Sequence, residues 1–214
     1  MLALTLFLHL ALPAPRVEAP TPVIPALREQ QPGKFRIEPN MGRYAEEVRY
    51  VMFTDGGVTL FTDDGMVDSA GVGIVLKNSA VGPFNALGFR YAVRNTVASD
   101  GPLYIPLYSK LVRRSVYPGI DAIYELTPGG GMEVSFLLQP QARLTDIAIA
   151  FQGVEKIEQS KRGELSVKTI AGRVVQKCPR VMRLMGDRYV ALPVALRLYS
   201  DGLVRFQGQT SGDD

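Results

Sequence analysis

The side chains of this 214-residue chain that could carry chemistry are carboxylates, tyrosines, one cysteine and one histidine. His9 lies in the apolar opening run, so once that run is removed no histidine remains. Ser-His-Asp and Cys-His nucleophilic mechanisms, a histidine general base and zinc catalysis with histidine ligands are thereby excluded. Cys178 stands alone and can form no internal disulfide. With only Lys177 and Arg180 nearby to activate it, it reads as a small buried side chain on a strand. Asp121 and Glu125 share one face of a strand at roughly 13 Å. That is wider than either glycosidase spacing, roughly 5–5.5 Å or 6.5–9.5 Å. Asp63, Asp64 and Asp68 around Gly65 lack the alternating ligands and terminal Glu of a calcium loop and read as a hairpin turn.

Tyr117 and Tyr124, with Tyr104 and Tyr108 nearby and Asp121 between, are the candidate ligand-binding residues, an aromatic platform for sugar or peptide. Against that, tryptophan is absent, and tyrosines belong naturally on strands with the hydroxyl at a wet edge. Pro118 and Gly119 are a structural bend: proline fixes φ, glycine accepts a positive φ, and Asp121 is expected to close the turn as an acceptor. No Walker-type or G-x-G-x-x-G loop is present, and Gly129 to Gly131 lead into a strand rather than a helix. The sequence implies no metal and no cofactor.

The elements that must hold these residues are strands. Met132, Val134, Phe136 and Leu138 point to one side while Glu133 and Ser135 point to the other. Ile147, Ile149 and Phe151 repeat the pattern, as do Leu165 and Val167. Val190, Leu192, Val194, Leu196 and Leu198 read as one long edge or bulged strand, because Pro193 removes a ladder donor. The punctuation is turn chemistry: Asp55-Gly56-Gly57, Asp64-Gly65, Pro128 to Gly131, Arg162-Gly163, Ala171-Gly172 and Asp201-Gly202. One helical turn is expected at Gln141 to Thr145, and no longer helix. The fold expected is all-β: an antiparallel two-sheet sandwich built largely from hairpins, with a barrel as the alternative.

Met1 to Leu12 is too short to anchor in a bilayer and resembles the core of a secretory signal, with Ala14 or Ala19 before the cut. Residues 1–19 are therefore expected to be a signal peptide and 20–33 a proline-rich tether. A single domain is expected over 34–207 and a frayed tail over 208–214. The net charge of +3 is too mild for a nucleic-acid footprint, and no run could form a transmembrane helix. The basic residues of the second half, among them Lys110, Arg113, Arg114 and Arg183, are expected on solvated sheet faces.

From Tyr108 to Arg180 the chain resembles a bacterial domain family of unknown function. The likeness rests on Val116-Tyr117-Pro118-Gly119-Ile120-Asp121 with Tyr124 following, then Glu133, Phe136 and Pro140. It continues through Ile147, Phe151 and Gly153, the Gly163-Glu164-Leu165 hairpin, Ala171-Gly172 and Pro179. Phe35 and Asn40-Met41-Gly42 echo the family's opening, with Arg43 where the family has glutamine. In that family the domain lies at the N-terminus of exported proteins, ahead of seven-bladed β-propeller-type (SBBP) repeats. The resemblance implies a secreted or cell-envelope β module with no assigned reaction, either a stand-alone copy or a piece of a longer repeat protein. The expected function is non-catalytic: surface architecture or adhesion through protein contacts, with downstream propeller repeats as possible neighbours. A carbohydrate-binding module using surface tyrosines, with glycan as partner, is the alternative. A carboxylate-only hydrolase comes third.

Overall fold

Wherever the chain alternates apolar and polar residues it forms a strand, because a pleated strand sends successive side chains to opposite faces. The computed structural model describes residues 35–69, 71–94, 103–160, 164–170, 172–176 and 178–208. The expected signal peptide (1–19), the tether (20–33), the tail beyond 208 and the Arg162-Gly163 turn lie outside those residues.

The first five strands are β1 (Arg36–Pro39), β2 (Val48–Thr54), β3 (Gly57–Thr62), β4 (Gly65–Asp68) and β5 (Gly73–Leu76), an antiparallel meander. β6 (Phe84–Leu87) opens a second sheet, while β7 (Arg90–Arg94) and β8 (Leu103–Leu107) pair with each other. β9 (Lys110–Tyr117), β10 (Ile120–Leu126) and β11 (Met132–Leu138) are joined by the Pro118-Gly119 turn and the Pro128–Gly131 turn. A single 3-10 turn at Leu144–Asp146 falls where a helical turn was expected. It is followed by β12 (Ala148–Gln152), β13 (Lys156–Gln159), β14 (Leu165–Thr169) and β15 (Gly172–Gln176). The chain ends its described course with β16 (Arg180–Met185), β17 (Arg188–Ala191), β18 (Val194–Leu198) and β19 (Val204–Gly208).

The larger sheet runs β1-β2-β3-β4-β5-β12-β19-β18 and the second β17-β16-β11-β10-β9-β6. Their inner faces share one apolar core in which Ile37, Met52, Phe61, Ile120, Phe136 and Leu138 are buried. The all-β, antiparallel expectation therefore holds, with three differences. β11 and β16 pair in parallel, Ser135 opposite Arg180. A separate three-stranded sheet, β13-β14-β15, stands beside the two large ones. The apolar run from Val190 to Leu198 is not one strand: it divides at Leu192-Pro193, leaving β17 in the second sheet and β18 in the first. Pro193 sits where the chain changes sheets, a position that needs no ladder donor.

Two polar expectations also change. Arg113, expected on a solvated face, is 1% exposed inside the core. Cys178, expected buried on a strand, is exposed between β15 and β16, its Sγ 3.7 Å from the Val194 carbonyl oxygen. The Asn40-Met41-Gly42 element has a plain physical role. The Asn40 carboxamide accepts from the Gly42, Arg43 and Tyr44 amides and donates to the Tyr44, Ala45 and Val48 carbonyls, fixing the loop between β1 and β2.

Glycine identity is required at the β10–β11 turn. Gly130 has φ +80, and a Cβ there would lie 2.3 Å from the Phe35 ring. Gly186, φ +65, has open space around it. Gly186→Ala should cost only the left-handed strain, about 1–2 kcal/mol. Gly130→Ala should cost clearly more, because the Phe35 ring must also move. Urea-denaturation midpoints of the two variants check this; equal losses would mean that the ring contact carries no weight.

Candidate functional site

The Pro118-Gly119 bend joins β9 to β10 with Gly119 at φ +70, as turn chemistry requires. Its neighbour Tyr117 is 5% exposed. The Tyr117 hydroxyl lies 2.9 Å from the Lys77 carbonyl and 3.3 Å from both the carbonyl and the amide nitrogen of Ala148. It donates to a carbonyl and accepts the Ala148 N–H, tying the β9–β10 hairpin to the end of β5 and the start of β12 on the opposite sheet. Burial raises its phenol above the ordinary value. Tyr117 is thus a clasp between sheets.

Tyr124 is equally buried and lies edge-on to Phe61 and Phe84, with ring centroids 5.2 and 6.2 Å away. Tyr108 bridges to Ile37 by backbone, and Tyr104 is 46% exposed on β8. The four tyrosines form no common surface. Asp121 does not close the Pro-Gly turn as expected. Its carboxylate accepts the Ser115 N–H at 2.8 Å, across a register shift where Ser115 has φ +51, and faces Arg114 at 3.4 Å. It therefore pins a β-bulge. Glu125 pairs with Lys110 at 3.0 Å, so the two carboxylates of this strand serve different cations.

The other acidic trio disperses too. Asp63 is chelated by Arg49, which holds its carboxyl below the usual range. Asp64 accepts from Thr62, and Asp68 accepts the Val72 N–H. Among the described residues no group of three metal-ligating side chains assembles. Also among them, no helix is long and apolar enough to cross a membrane, which says nothing of a β-barrel.

Spacing along the chain could not show the cleft that opens between the sheets, a cavity of about 630 Å3. Met66, Ile74, Leu76 and Ile149 form one wall; Tyr124, Val134 and Phe136 form the other. Val174 and Val175 of β15 border it, as do Asp68 and the Glu133–Arg180 ion pair (2.8 Å). Tyr124 links this cleft to Arg113. The guanidinium donates from Nη2 to the Ala80 carbonyl at 3.1 Å and stands 5.5 Å from the Phe84 ring centre. Its Nε and Nη1 find no acceptor among the described residues. Burial pushes the Tyr124 phenol up to about 12, against the pull of the Arg113 cation beside it.

Two outcomes follow. Tyr117→Phe should cost about 1–3 kcal/mol, since it strips the Ala148 N–H and the Lys77 carbonyl of their hydroxyl partner, whereas Tyr104→Phe should stay within about 0.5 kcal/mol. Thermal or urea unfolding of both variants tests the clasp. A phenol whose pKa rises on folding contributes fully below its unfolded value of about 10, and the contribution is lost as pH climbs toward about 12. Wild-type stability should thus fall more steeply over that window than that of Tyr124→Phe.

A family model described as a domain of unknown function, DUF7948, matches residues 91–213. The match takes in the Pro-Gly bend, β10, β11 and the β15–β16 side of the cleft; Phe35 and the Asn40 loop fall outside it. No curated protein and no solved structure matches.

Proposed function

The chain belongs to this family of domains of unknown function, and from that premise we propose that it is a non-catalytic module, exported to the cell surface or exterior, that works through protein contacts. The observation that carries the reading is the open edge of β15. Its only neighbour among the described residues is β14, and Val175 on it is 63% exposed. Ile170, in the turn before it, is 91% exposed. An unpaired edge offers backbone donors and acceptors to an incoming strand, and the exposed apolar side chains add contact area.

The side chains with chemical potential support the same reading by what they already do. Tyr117 clasps, Asp121 pins a bulge, and Glu125, Asp63 and Glu133 each hold a cation. The resemblance to bacterial domains preceding propeller repeats supports export and a surface setting, and makes an SBBP-type array a natural neighbour. The carbohydrate reading retains one exposed ring of its four, Tyr104.

A photo-crosslinking amino acid at position 175 of the exported full chain should yield a discrete crosslinked species on intact cells. Val175→Lys with Ile170→Lys should release the protein from its complex while leaving the unfolding free energy within about 0.5 kcal/mol, as surface changes do. A wild-type protein that runs alone and gives no crosslink would defeat the reading. So would hydrolysis of any glycoside that disappears in Asp121→Asn. Mass spectrometry should find the exported form cut after Ala14 or Ala19; intact Met1 confined to the cytosol would remove the export claim.

A further inference from the structure

We propose that the cleft between the sheets binds a long-chain carboxylate, its apolar chain lying between the two walls and its anionic head at Tyr124 in the field of Arg113. The proposal does not rest on the β15 edge reading, although Val174 and Val175 border both.

The case rests on three observations. The first is shape and lining: about 630 Å3 falls within the roughly 300–1,000 Å3 of small-molecule sites, and the inner walls are aliphatic and aromatic. Met66 and Met132, on opposing walls, are side chains that adapt to an irregular chain.

The second is charge. Arg113 is 1% exposed, and among the described residues its Nε and Nη1 have no acceptor at hydrogen-bond distance. Asp63, a carboxylate that feels its charge, already has both oxygens on Arg49. A cation held in low dielectric without a counter-charge attracts an anion strongly and discriminates against a cation.

The third is polarity along the cleft. Of the polar lining residues, Asp68, Glu133 and Arg180 are the more exposed, the last two paired with each other, whereas Tyr124 is buried. Tyr124 both lines the cleft and neighbours the guanidinium, so its O–H can donate to a carboxylate that enters head-first. A neutral head would gain the hydrogen bond without the charge term, and an ammonium would be repelled.

The test uses the full chain with hexadecanoate, hexadecan-1-ol and shorter carboxylates, each displacing 1-anilinonaphthalene-8-sulfonate from the protein. Hexadecanoate should bind at least about tenfold tighter than the alcohol, and each methylene should add about fourfold. Leu196→Trp, which puts a bulky indole into the cleft, should abolish binding of both. Arg113→Met should keep the alcohol's affinity and erase the preference for the acid; Tyr124→Phe should reduce that preference. Equal binding of acid and alcohol by the wild type, absence of binding by either, or acid binding that survives Leu196→Trp would each overturn the proposal. The wild-type acid-to-alcohol ratio decides the matter even if a variant fails to fold.

Discussion

The hydroxyl of Tyr117 is the contact on which the relation between the two large sheets turns. It reaches from the β9–β10 hairpin to the backbone of Lys77 and Ala148, where the Lys77 amide already donates to the Ala148 carbonyl at 2.8 Å. One hydroxyl donates to a carbonyl and accepts the Ala148 N–H at this corner, and the side chain is held by the Pro-Gly bend beside it. Apolar burial is non-directional and would allow the sheets to slide; a bond to fixed carbonyls would not. The bend motif thus has a physical rationale in this chain that needs no ligand.

With that corner clasped, the sandwich behaves like a book held at one edge. Away from the clasp Phe136 meets Phe206 edge-on at 5.7 Å and joins the sheets again. Between these points the walls separate into the cleft. The turns at its end brace each other, since the Asp55 amide donates to the Gly130 carbonyl at 2.8 Å and the Phe35 ring covers Gly130. The parallel pairing of β11 with β16 completes the second sheet's wall, and β15 flanks the opening. A cavity so framed follows from strand order, since its walls belong to different sheets.

Much of this was legible in the chain and some was not, for identifiable reasons. Local pairing is written in local signals. Asp55-Gly56 and Pro118-Gly119 turn where turn chemistry says they must, and Met132 to Leu138 alternates as a half-buried strand. Non-local pairing carries no such signal, so the β11–β16 neighbourhood and the sheet change at Pro193 were invisible. A proline is incompatible with a central ladder, but an edge and a crossing look alike in sequence. Lys110 and Arg114 frame Arg113 as a basic, solvated stretch, which hides its burial. Its phase with Leu111, two residues earlier on the same face, was the available clue. The tyrosines shared that ambiguity, since a wet rim and a core position are both compatible with a β-strand.

Arg113 marks where local and global rules disagree in this fold. Every neighbour argues for an apolar residue at that site: Phe84 opposite it on β6, Ala122 opposite it on β10, Tyr124 alongside. Replacing a buried charge that lacks its partner with a shape-matched apolar side chain is commonly neutral or stabilising. A methionine would fill the space without two unmet donors. Conflicts of this kind concentrate at functional positions, where stability is given up for an interaction that the isolated chain does not itself supply. The conflict lies one ring away from the cleft between the sheets, and Tyr124 belongs to both. A cation that the fold does not neutralise and a cleft that the fold does not fill are most simply explained together.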